Sequence, residues 1–137
     1  MNDTESTNQN GKLLKTYNGE KFVVTHCDGA IDTFLESLKS LKDKEAKVME
    51  MKVVLQLKRL ADGKAMAKES FVSEGTLPNG KKFYAIKRVP VRGYLWLSSK
   101  LRCTYYVSHY IYKNHQKLKD KDKDKDMIHS NWRKIEG

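Results

Sequence analysis

The chain predicts an α+β domain built as a strand, a helix pair, a mainly antiparallel sheet and a short terminal helix. Three observations carry that expectation: a β-preferring run near the amino end, two stretches with three-to-four apolar spacing after Asp28, and three β-rich runs after Gly80. With 137 residues there is room for one core but not for two ordinary domains.

The first nineteen residues are polar and charged, and read as a flexible tail (1–19) ahead of a single domain (20–137). Glu20 to Cys27 reads as a strand, because Phe22, Val23, Val24 and Thr25 have high β preference and Asp28-Gly29 supplies a stop. Asp28 is also the N-cap region of a first helix, in which Ile31, Phe34, Leu35, Leu38 and Leu41 recur at the spacing of one buried face. A second helix is expected from about Lys44 to Leu60. Its apolar side is read as Val48, Met51, Val54, Leu55 and Leu57, and Ala61-Asp62-Gly63 ends it. So short a connection makes the pair an antiparallel hairpin.

Between Gly63 and Gly80 the signals conflict, since Phe71 and Val72 favour a strand while Gly75, Pro78, Asn79 and Gly80 favour turns. Lys82 to Val89 reads as a strand, with Pro90 marking a bend or an edge. Tyr94 to Ser98 is the next strand, and Arg102 to Tyr112 the third, where alternation puts Tyr106 and Tyr110 on one face and Tyr110 and Tyr112 together. Three such runs in succession imply antiparallel pairing. The alternating Lys and Asp of residues 119–126 cannot bury anything, and Asp124 or Asp126 is expected to cap a last helix through Met127, Ile128, Asn131, Trp132 and Ile135.

Several function classes are disfavoured by composition. A basic region followed by an apolar core, as in a signal peptide, is missing at the amino end, and no stretch approaches the roughly 20 apolar residues of a membrane span. Cys27 and Cys103 are far apart and form no C-x-x-C pair, and His26, Cys27 and His129 are too scattered for a metal site. The expectation is a cytoplasmic protein without metal or cofactor.

Charge gives the functional reading. The net charge is +10, from 27 basic and 17 acidic residues. Lys81 to Lys119 contains ten of the basic residues and no acid, so the rest of the chain, with 27 less 10 or 17 cations against 17 acids, is formally neutral. The same segment holds six of the seven tyrosines. Cations interleaved with aromatic and imidazole groups suit a polyanion that also offers flat bases, which describes RNA. Lys87, Arg88, Arg92, Arg102, Lys113 and Lys117 are the candidate phosphate contacts. Cleaving RNA through its own 2′-hydroxyl needs a base, cations around the phosphate and an acid for the leaving oxygen. His109 and His115 suit the proton steps, Arg88 the phosphate, and Tyr112 a stacking or orienting role. For His109, in mid-strand among aromatics, a structural role weighs as heavily as a catalytic one.

Three local matches point further: the basic strand Phe83-Tyr84-Ala85-Ile86-Lys87-Arg88, the strand Gly93-Tyr94-Leu95-Trp96-Leu97, and Val107-Ser108-His109-Tyr110-Ile111-Tyr112-Lys113 with His115, Gln116 and Lys117 just after. With the order of elements, these make the stretch from Phe22 to Ile135 resemble the RelE/HigB-type toxins of bacterial type II toxin–antitoxin modules, in particular their phage-derived HigB-like branch. The resemblance implies a RelE-like fold and a metal-independent ribosome-dependent endoribonuclease, an mRNA interferase that inhibits translation. It implies a separately encoded antitoxin as partner, with operator DNA bound only through the antitoxin complex. Many members carry an Arg after the Gly-Tyr pair, where this chain has Leu95, so Arg92 or Arg102 would have to replace it. Two other readings stand beside this one: a ParE-like toxin directed at DNA gyrase, and a nucleic-acid-binding module without catalysis.

Overall fold

The computed structural model describes residues 11–88, 90–112 and 121–137. It is an α+β fold of three helices and one six-stranded sheet. The elements in chain order are β1 (Thr16–Asn18), β2 (Val23–His26), α1 (Ala30–Ser37), α2 (Asp43–Ala61), a 3-10 turn (Lys68–Ser70), β3 (Phe71–Thr76), β4 (Lys82–Arg88), β5 (Val91–Leu97), β6 (Thr104–Tyr112) and α3 (Lys121–Ile135). Across the sheet the order is β1-β2-β6-β5-β4-β3. All neighbours pair antiparallel except β2 and β6, which run parallel. A parallel pair needs a long crossover, and here the crossover contains both helices and three strands.

The sheet begins earlier than the sequence suggests. Thr16–Asn18, inside the stretch read as a tail, pairs with Val23–Thr25, and Tyr17 is buried with its hydroxyl accepting a bond from the Leu14 amide at 2.8 Å. Burial pushes the Tyr17 phenol up to about 12. The stretch from Gly63 to Gly80 resolves into the 3-10 turn, an edge strand bulged between Ser73 and Gly75, and a tight turn at Gly80, whose φ of 87° is one that a residue without Cβ adopts freely.

Both faces of the sheet are covered, which makes three layers. On one side α1 and α2 enclose Val24, Phe34, Val53, Leu57, Leu95, Val107 and Tyr110. On the other, α3 lays Ile128 and Trp132 over Phe83, Ala85, Tyr94 and Trp96. Val54 and Leu57 of α2 are buried as expected, but Val48, Met51 and Leu55 are exposed, as is Leu35 of α1. The helix carries apolar residues on two sides, and the side with Val53, Leu57 and Leu60 faces the sheet. The start of α1 is Gly29 at φ 85°, with no side-chain cap from Asp28. Similarly, α3 begins at Lys121, so Asp124 and Asp126 are inside the helix rather than capping it.

One irregularity resets the chemistry of β6. The register runs Tyr94 opposite His109 and then Leu95 opposite Val107, so Ser108 is an extra residue in the strand. A bulge of this kind breaks the period-two alternation. In consequence Tyr106 joins the α3 side while Tyr110 joins the α1/α2 core, overturning the expectation that they share a face.

Candidate nucleic-acid interface

One end of the sheet collects most of the candidate groups. Pairing sets Arg88 opposite Val91, Lys87 opposite Arg92, and Val91 opposite Tyr112, so Lys87, Arg88, Arg92 and Tyr112 lie on three adjacent strands at the same edge. Arg102 is not with them. It precedes β6, at the strand's other end, about 30 Å from Tyr112 at ~3.3 Å per residue. Lys113, His115 and Lys117 lie outside the described residues.

At this end is a cleft of about 430 Å³ lined by Met49, Lys52, Glu69, Ser70, Lys87 and Arg88. Lys52 comes from α2 and was not singled out by sequence, because a lone lysine on a helix carries no signal that it will face a sheet edge. Among the described residues Arg88 has no ion pair. The cleft therefore offers cationic donors with a single acid, Glu69, among its lining residues. On the far side of the same edge, Asp32, Thr33, Glu36, Ser37, Tyr110, Ile111 and Tyr112 line a second hollow of about 400 Å³.

Two cations at this end are committed internally, one of them Lys87 from the cleft itself. Glu74, on the bulged edge strand, lies 3.3 Å from Lys87 Nζ and 3.9 Å from Arg92, with its side chain largely buried. The acid-free segment thus receives a counter-charge from a neighbouring strand outside it. Burial raises the pKa of the neighbouring Tyr94 phenol, and the Arg92 guanidinium opposes that shift. As a replacement for the arginine that the resemblance implies, Arg92 is partly neutralised. Leu95 itself is fully buried in the α1/α2 core, where a guanidinium would have no water.

His109 is not placed for a reaction. It is 1% exposed, stacks on Tyr94 with ring centroids 5.1 Å apart, and is held at both nitrogens. Its Nε2 is 3.1 Å from Asp124 Oδ1 and its Nδ1 is 2.8 Å from Ser108 Oγ. Asn131 of α3 donates to the same Ser108 hydroxyl at 2.8 Å. The set has the composition of a hydrolytic triad, but all three groups are buried and each is used to tie α3 to the sheet. Of the two roles weighed for His109, this placement fits the structural one. The Asp124 partnership was missed because an alternating Lys-Asp run looks solvated throughout; the spacing Asp124, Ile128, Asn131, Ile135 down one helix face was the available signal.

A second buried histidine performs a similar function beneath α1. His26 Nδ1 is 3.0 Å from the Lys15 carbonyl, which only accepts, so that nitrogen carries the proton and Nε2 accepts from the Tyr110 hydroxyl at 2.7 Å. Burial lowers the His26 pKa and raises that of Tyr110 well above its usual value. Gly93 leaves space for this arrangement: a Cβ there would sit 2.6 Å from the Tyr110 ring. Tyr110 is consequently a packing residue, and Tyr112, half-buried at the edge, is the tyrosine left for a ligand.

Among the described residues no cluster of three or more His, Cys, Asp or Glu is arranged to hold a metal ion, and no helix is long and apolar enough to cross a membrane. Comparison with family models, curated proteins and solved structures finds no match to this chain.

Proposed function

We propose that the protein is an endoribonuclease toxin of the RelE/HigB type that binds mRNA on the translating ribosome at the Lys52–Lys87–Arg88 cleft. The observation that carries this reading is the cleft itself: three cations from two elements, one of them an arginine without an ion pair among the described residues, with half-buried Tyr112 at the same end of the sheet. The element order is compatible with it, since two strands, two helices, four strands and a final helix include the strand, helix pair, sheet and terminal helix on which the resemblance rests.

The chemistry follows from the groups at that edge. The 2′-hydroxyl attacks the adjacent phosphate as a base removes its proton, and the 5′-oxygen departs as an acid protonates it, leaving a 2′,3′-cyclic phosphate. Arg88 stabilises the extra charge on the phosphate, a role for which a bidentate donor is suited. Lys52 holds the flanking backbone, and Tyr112 stacks or orients a base. With His109 withdrawn, the proton steps fall to His115 and Tyr112. That withdrawal also favours a second reading, a nucleic-acid-binding module without turnover.

Primer extension on message from a reconstituted translation reaction decides between them, run with Arg88→Ala and His115→Ala variants and a ribosome-free control. New 5′ ends confined to ribosome-engaged message, and lost in Arg88→Ala, are the expected result. Intact message throughout, with folded protein that retains RNA binding, would overturn the enzyme in favour of the binding module.

A further inference from the structure

Helix α2 has a second apolar side. Val48, Met51 and Leu55 are 45%, 50% and 60% exposed, and they succeed one another at three- and four-residue steps along the helix. At 100° per residue, everything within about 60° of Leu55 is either one of these apolar groups or a cation, namely Lys44, Lys52, Lys58 and Arg59. Those four cations are all exposed. Of the acids in this helix, Glu45 is turned toward the Lys42 amide, which donates to it at 3.2 Å, and Glu50 accepts from the Leu13 amide at 2.8 Å. The ridge borders a groove of about 480 Å³ lined by Leu41, Lys44, Glu45, Val48, Met49 and Lys52.

We propose that this ridge and groove are a docking surface for an acidic amphipathic helical segment of another protein. Apolar side chains at helical spacing on the partner would seat on Val48, Met51 and Leu55, and flanking carboxylates would meet Lys44, Lys52, Lys58 and Arg59. Charge selects this occupant over a second copy, since two such ridges would oppose four cations to four. Nucleic acid satisfies the cations but not three exposed aliphatic groups between them, which phosphates would leave in water. The inference stands whether or not the chain is a ribonuclease. Its surface does adjoin the proposed RNA cleft, because Met49 and Lys52 line both cavities.

The test uses the full chain and a synthetic helical peptide with leucines at positions i, i+3 and i+7 among glutamates. Its controls replace those glutamates by lysine or the leucines by serine, and vesicles of phosphatidylserine serve as an anionic surface. The expected result is binding of the acidic amphipathic peptide alone, with methyl resonances of Met51 and Met49 shifting while that of Met127, exposed on α3, stays fixed. Leu55→Asp and Lys52→Glu, both at exposed positions and checked for unchanged melting, should each weaken the peptide by about tenfold or more. Equal binding to these variants overturns the proposal. So does binding to the vesicles in place of the peptide, or peptide binding only after residues 2–10 are removed, which would assign the ridge to the chain's own amino-terminal segment.

Discussion

Two regions of this protein carry the same kinds of side chain and use them in opposite ways. Beneath α3, His109, Asp124, Ser108 and Asn131 are bonded to one another. At the Arg88 edge, Arg88 and Lys52 line an open cleft and Tyr112 stands half-buried nearby. Residue type alone does not separate structural from functional groups here; satisfaction does. A buried polar group that has found its partners stabilises one arrangement, whereas cations gathered around a cavity have interaction energy left to give.

The largest effect that bears on this contrast is expected at His109. Replacing it with alanine opens a cavity and leaves the Asp124 carboxylate buried without its partner, which costs about 3–5 kcal/mol. Denaturant unfolding measures that loss, and RNA binding by the folded protein should persist. A variant that kept its stability and lost only activity would break the contrast. Arg88→Ala should do the reverse: RNA affinity falls about tenfold and the salt slope by about one unit, with stability altered by less than ~0.5 kcal/mol, as filter binding across a salt series and a melting curve will show.

A smaller effect concerns His26. Its folded pKa lies below 6.5 and the unfolded value near it, so the unfolded chain takes up a proton first as pH falls. The stability associated with its neutral form is complete above pH 6.5 and is lost as pH drops from there through the folded value. Unfolding midpoints over that window should show the slope, and His26→Gln should flatten it; an unchanged slope would assign the titration elsewhere. The smallest effect is expected for Arg102→Ala, which sits at the other end of β6 and should leave RNA affinity within about twofold. A loss matching that of Arg88→Ala would extend the interface along the whole strand.

Much of the fold was legible in local sequence. The β-branched and aromatic runs that became β2, β4, β5 and β6 had no competing helical pattern, and the Ala61-Asp62-Gly63 stop ended α2 within a residue. The buried side of α2 was not legible. Val48, Met51 and Leu55 compete with Val53, Leu57 and Leu60 for the same period, and only the sheet's position decides between them. Likewise the site was half visible. The acid-free stretch marked the Arg88 edge, but Glu74 neutralises part of it through cross-strand pairing, which no window along the chain reveals. Lys52 reaches the cleft from a helix some thirty-five residues before the strand it faces, and that proximity is a product of the crossover.

The extra residue at Ser108 has a consequence for how this sequence can change over evolutionary time. Substitutions in β6 alter one side chain on one face, and loss of Ser108 itself would restore strict alternation with Leu95 still opposite Val107 and Tyr94 still opposite His109. What would go is the Ser108 hydroxyl shared by His109 and Asn131, while Tyr110, Ile111 and Tyr112 would keep their faces and the bond from Tyr110 to His26 would stand. Length in this strand can therefore change by one residue at the bulge without disturbing either face. Descendants of this chain can vary the lysines around the cleft one at a time and can shed the extra residue, while loss of Ile111 would turn Tyr112 to the α3 face.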